Sequence, residues 1–279
     1  MQDIENPLYS RPEAKLISPF QAVAFSFPGL SAGNFFVPSA SLPTLLKPLE
    51  LFSHTPCSRV ILFSSVSSKL ELTFQKNITF FVGENTTGKS SLLEAIAVAY
   101  GYNPEGGTIN YRFSTNDDYS ELHNAVRLVK SYRRALTGYF FRAESFFNLA
   151  TKADEYDREN RWGPSFGGRS LHAQSHGESF LSFFQTFKSA GLYLMDEPEA
   201  ALSPQRQLTL LLHIKLLAEQ GSQFIVASHS PILLGIPDAQ IYSFDGGVIH
   251  EISWEETESY RLTKLFLDHR ESVLKQLLK

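Results

Sequence analysis

The amino-acid sequence predicts an α/β fold, and three observations predict it. From residue 78 onward, short apolar runs alternate with amphipathic helical stretches, as in layered strands and helices. A loop containing glycines joins one such run to one such helix at residues 83–90. Upstream, apolar stretches separated by a serine-rich turn add an antiparallel β portion at the N-terminal end.

Residues 1–50 carry seven prolines, Pro7, Pro12, Pro19, Pro28, Pro38, Pro43 and Pro48. Each removes a donor and clashes with the preceding turn, so long helices are not expected there. Residues 20–27 read as a strand with two rather apolar faces, and 58–64 and 69–74 as two more. The run 78–82 (ITFFV) suits a buried strand, and 90–100 (SSLLEAIAVAY) a helix with Leu92, Leu93, Ile96, Ala97 and Tyr100 on its apolar side. A second helix is expected over 120–136, a strand over 138–142 and a loop over 154–172. Beyond these, helices are expected at 178–188 and 205–219, and strands at 191–196, 223–228 and 240–244. Two helices, 254–266 and 269–278, close the chain.

Composition narrows the function classes. The 279 residues are 43% apolar, with 23 Phe and 11 Tyr, enough for one sizeable domain across 1–279. The formal net charge of -4 gives no general field for nucleic acid, so DNA or RNA binding is unsupported by charge. The local basic stretch Arg127, Lys130, Arg133 and Arg134 reads as a solvated helix face. Cys57 is the only cysteine, which excludes a disulfide framework and a four-cysteine zinc site and fits a reducing cytoplasm. No apolar run reaches the ~18 residues of a membrane helix, and the acidic start does not resemble a signal peptide, so no membrane insertion is expected.

The residues Gly83, Glu84, Asn85, Thr86, Thr87, Gly88, Lys89 and Ser90 match G-x-x-x-x-G-K-S/T, with Ser91 following. Successive backbone N–H groups of such a loop face one concavity that holds phosphate oxygens, and the next helix presents its positive end to the same anion. Lys89 is expected at the β- and γ-phosphates, and the Ser90 hydroxyl on Mg²⁺. Four apolar or aromatic residues then lead into Asp196 and Glu197. A carboxylate ending a buried strand can hold Mg²⁺, and the next one can act as general base on water. His229 directly follows the apolar run 223–228, where it can donate to a γ-phosphate.

With Ser175-His176-Gly177-Glu178-Ser179 standing 21 positions before Asp196, these motifs fall in one order. The chain resembles the ABC-type ATPases, particularly the compact soluble ones related to the RecF and chromosome-maintenance ATPases, often described as predicted AAA-family ATPases. The resemblance covers residues 78–244. It implies a P-loop NTPase fold of the ABC-ATPase head type, with an N-terminal β portion and a helical lobe inserted at about 117–188. It implies ATP and Mg²⁺ as cofactors, with Ser90 and Asp196 on the metal and Glu197, His229 and Lys89 in the catalytic roles. Ser175, Gly177 and Glu178 are similar to the family signature and would reach the γ-phosphate held by the other copy of a homodimer. Residues 201–203 resemble the loop that meets its counterpart across that dimer. A protein effector partner is implied without being identified.

The sequence also departs from the family. Thr86 and Thr87 stand where glycine or a small residue is usual, and threonine is disfavoured at positive φ. His176 replaces the first signature glycine. No glutamine of the metal-coupling kind is legible, and Arg142-Ala143-Glu144-Ser145 is its nearest substitute. The alternatives are an ATP-binding subunit of a membrane transporter and a repair- or defence-associated ATPase. A small GTPase is disfavoured, because Asp196 is followed by Glu-Pro and not by a glycine switch.

Overall fold

The computed structural model describes residues 56–63, 69–108, 121–131, 135, 137–144, 183–187 and 191–278. The strand expected at 20–27, the loop at 154–172 and the signature segment at 175–179 lie outside the described residues.

Two sheets organise these residues. The smaller has the order β2-β1-β4, with β1 (Cys57–Phe63) antiparallel to both β2 (Lys69–Thr73) and β4 (Val126–Lys130). The larger has the order β5-β6-β7-β3-β8-β9, from Thr137–Arg142, Gly191–Asp196, Gln223–Ala227, Ile78–Val82, Gln240–Ser243 and His250–Ile252. All its strands run parallel except β9, which pairs antiparallel with β8.

The central strands β3, β6 and β7 are buried at every position, which explains their continuous apolar runs. Strand alternation then divides the core in two. Ile78, Phe80, Val82, Tyr193, Met195, Phe224 and Val226 face helices α2 (Pro204–Glu219) and α3 (Pro231–Leu234). Phe81, Leu192, Leu194, Ile225 and Ala227 face α1 (Lys89–Tyr100) and the small sheet. On the first face Phe187, Tyr193 and Phe224 form a stacked aromatic column, with successive centroids 4.4 and 5.1 Å apart.

Most expected elements form within a residue or two of their predicted ends. One does not. Residues 120–136 were expected as a helix; they begin as a 3₁₀ turn, Glu121–Ala125, and continue as strand β4. The run VRLVK has β-branched residues, and its Val126 and Leu128 enter the core between β1 and α1. The basic stretch is therefore no helix face: Lys130 donates to the Tyr100 carbonyl at 3.2 Å and lies over that ring. Arg133 and Arg134 are outside the described residues. Of the helical lobe expected at 117–188, the described parts include β4 and β5, one in each sheet. The last helix, α4 (Glu258–Leu277), joins the two expected helices across a break at His269, whose φ of -132° is not helical.

Candidate nucleotide site

Three parallel strands end at one edge, and each delivers part of the site. Strand β3 ends in the phosphate loop, β7 in Ser228 and His229, and β6 in Asp196 and Glu197. Because β7 lies between β3 and β6, His229 emerges between the loop and the carboxylates.

The loop turns on residues with positive φ: Gly83 (140°), Thr86 (70°) and Gly88 (95°). Threonine thus sits in the left-handed region at Thr86, the departure that the sequence flagged. Gly83 has a packing reason as well, since a Cβ there would come 2.9 Å from Asp245 Oδ1. That same oxygen accepts from the Glu84 N–H at 2.8 Å and pins the start of the loop. The Thr87 hydroxyl donates to the Glu84 carbonyl at 2.8 Å. Gly88 caps α1 without any side-chain bond, and the first helical turn holds no acidic residue. No side chain of the cap or first turn of α1 therefore offsets the positive end that the helix turns toward the loop.

Lys89 is buried and folds back, its Nζ donating to the carbonyls of Gly83 at 2.7 Å and Glu84 at 2.6 Å. Burial pulls its pKa below the usual lysine value, while Glu197, Asp245 and Asp196 hold it up. The Ser90 hydroxyl donates to Asp196 Oδ1 at 2.9 Å. The two meet by parity, because Asp196 shares the α1 face of β6 with Leu192 and Leu194. Burial pushes the Asp196 pKa up to about 6, against the Ser90 hydrogen bond and the nearby Arg142, which lower it.

Arg142 is the β5 residue in register with Asp196. It donates to Glu94 Oε2 at 2.6 Å and to the Pro104 carbonyl at 3.1 Å, and it pairs with Glu144. The segment expected to stand in for a glutamine thus begins beside Asp196, with Ser145 outside the described residues.

Glu197 begins the turn after β6 with φ of 48°, and its N–H donates to the Ala227 carbonyl at 3.0 Å. Its Oε1 lies 4.0 Å from His229 Nε2, and both side chains are partly exposed. A cleft of about 490 Å³ opens beside His229, bounded also by Gly83, Glu84, Asn85, Asp245 and the start of α4; Glu197 is not part of its lining.

The paired Ser90 and Asp196 oxygens fit Mg²⁺. Both are hard oxygen donors, and Asp196 is a buried carboxylate whose burial opposes ionisation. Among the described residues no cluster of three or more His, Cys, Asp or Glu could enclose a metal alone. Few protein ligands plus substrate phosphates is the usual Mg²⁺ arrangement.

Two residues with a part in this site had no role in the sequence reading. Asp245 holds the loop from 161 positions away. Glu199, three residues after Asp196, binds the backbone around His229. A charged residue directly after a buried strand was the available signal for Asp245; for Glu199 the signal was a third carboxylate within four residues.

Fold and site together define a P-loop nucleotide-binding protein. Two family models match: "AAA domain" at residues 62–163 and "AAA domain, putative AbiEii toxin, Type IV TA system" at residues 179–235. Both matches agree with the resemblance to P-loop ATPases that the motifs carry. No curated protein matches it. Among solved structures, it is similar to an SMC head bound to the C-winged helix domain of ScpA, at 18% identity and TM-score 0.42, over 72% of this chain and 99% of that one. An SMC head domain from Thermotoga maritima matches at 17% identity and TM-score 0.39, over 71% and 99%. A nucleotide-free ATP-binding cassette from an ABC transporter matches at 16% and TM-score 0.40, over 77% and 96%.

Proposed function

We propose that this chain hydrolyses ATP with Mg²⁺ and that two copies close around the nucleotide to drive a partner protein. The observation that carries the reading is the convergence at one sheet edge of Lys89, the Ser90–Asp196 pair at 2.9 Å, and Glu197 with His229 at 4.0 Å. Lys89 would exchange its two loop carbonyls for the β- and γ-phosphates. Ser90 and Asp196 would hold Mg²⁺, which supplies charge neutralisation between those phosphates. Glu197, partly exposed and beside His229, would take the proton of the attacking water. His229 would donate to the γ-phosphate, and the positive N-terminal end of α1 favours anionic phosphate at the loop.

The homodimer rests on the resemblance of Ser175, Gly177 and Glu178 to a segment that completes the partner's site. No described helix is long and apolar enough to cross a membrane. A cytoplasmic location, a protein effector, and the transporter or repair and defence alternatives stay at the level of the sequence resemblance.

The test combines trapping and mixing. Glu197→Gln should keep ATP binding, slow hydrolysis by about 10²-fold or more, and accumulate a dimer by light scattering with Mg-ATP. Ser175→Arg and Lys89→Ala should each be inactive alone; mixed, they form one intact composite site and regain activity. A Glu197→Gln protein that stays monomeric, together with a fully active Ser175→Arg protein, contradicts the dimer.

A further inference from the structure

The turn after β6 carries a carboxylate that reaches neither Lys89 nor the Ser90 hydroxyl. Glu199 Oε1 accepts three donors: the Ser228 hydroxyl at 2.9 Å, the His229 N–H at 2.6 Å and the Ser230 N–H at 3.1 Å. Three donors on one oxygen, two of them consecutive backbone amides, make a clamp on the loop that leaves β7. Its Oε2 is buried without a partner, so all of its bonding is directed at this one loop.

The clamp closes a ring. The Ser230 hydroxyl donates to Gln207 Oε1 at 2.6 Å, and Gln207 Nε2 donates to the Leu202 carbonyl at 3.0 Å. Leu202 belongs to the same turn as Glu199, its N–H donating to the Glu199 carbonyl at 2.9 Å. The Ser230 hydroxyl also caps α3 by accepting from Ile232 and Leu233 N–H. The exit of β7 is thereby tied to the turn that carries Glu197. His229 Nε2 is itself buried without a hydrogen bond, 4.0 Å from Glu197 Oε1, so its own side chain does not fix the ring's place.

We propose that Glu199 is a positioning residue: by gripping the His229 and Ser230 amides it sets the His229 imidazole against Glu197, so that base and phosphate donor form one rigid unit. The inference rests on the hydrolytic reading of Glu197 and His229. Glu199 touches no reacting atom and acts through His229. A displacement of about 1 Å in such a group costs on the order of 10²-fold in rate, whereas the groups that the phosphate loop itself offers to nucleotide, from Gly83 to Ser90, are left in place.

The experiment measures kcat, KM and calorimetric ATP affinity for Glu199→Ala, Glu199→Asp and Glu199→Gln, alone and with His229→Ala. Ala removes the acceptor and Asp withdraws it by one methylene, so kcat should fall about tenfold or more in both, with KM and affinity held within about threefold. Gln keeps an oxygen for the same three donors and should retain kcat within about threefold. In the His229→Ala background, Glu199→Asp should cost nothing further, because its effect passes through the absent imidazole. Should the Ala protein fail to fold, Asp and Gln decide alone. Multiplied losses in the double variant, or a wild-type kcat in Glu199→Asp, overturn the positioning role and leave the site reading standing. A wild-type rate in His229→Ala, or no hydrolysis by the parent protein, overturns the site reading and the positioning role with it.

Discussion

At the scale of single residues, the site is built from groups placed against their ordinary preferences. Lys89 is buried on carbonyl oxygens, Asp196 is a buried carboxylate, and Glu197 and Thr86 hold positive φ without being glycine. Such costs persist where surrounding structure over-determines them, as at functional sites. Asp196 turns this into a pH dependence. Its folded pKa of about 6 lies above the usual carboxylate value, so the folded state takes up its proton first. Above about pH 6 the charged form is buried at full cost; as pH falls through the window down to about 4, that cost is relieved and stability rises. The shift corresponds to roughly 3 kcal/mol in metal-free protein. Asp196→Asn should therefore out-melt the parent most clearly at pH 7, with the gap closing by about pH 4. Mg²⁺ binding runs the other way and should weaken as pH falls through about 6, since protons compete for the same oxygens.

At the scale of elements, close packing of β5 and β6 places Arg142 level with Asp196, and one glycine permits it. A Cβ on Gly138 would come 2.0 Å from the Tyr102 hydroxyl oxygen and 2.3 Å from the Leu192 carbonyl. The Tyr102 hydroxyl already donates to that carbonyl at 2.8 Å, so neither neighbour gives way freely. Gly138→Ala should destabilise by about 1–3 kcal/mol, read as a lower urea midpoint at unchanged slope. Elements also show where the sequence misleads. Residues 126–130 have too short a run to distinguish helix from strand, and pairing with β1 decides the matter. Strand β9 was not anticipated, because it has three residues, two of them exposed, and forms only as the partner of β8.

At the scale of the whole molecule, the two sheets are joined through a buried amide. Gln223 on β7 accepts from the Cys57 N–H and donates to the Cys57 carbonyl, each at 2.7 Å, and Gln223 is fully buried. Gln223→Leu should cost about 2–4 kcal/mol, since both Cys57 backbone groups lose their side-chain partner in the core, and a thermal melt would register it. By itself the sequence determined the local units: apolar runs long enough for buried strands, the glycine-lysine-serine loop between strand and helix, and carboxylates and a histidine just past strand ends. These are read over a few neighbouring residues, where chain sterics and burial periodicity act. Only the tertiary structure decided that β7 lies between β3 and β6, that Asp245 grips the loop across 161 positions, and that Glu199 holds His229 across 30. Those contacts join segments far apart in the chain, and their geometry follows from strand order and side-chain parity once the sheet has formed.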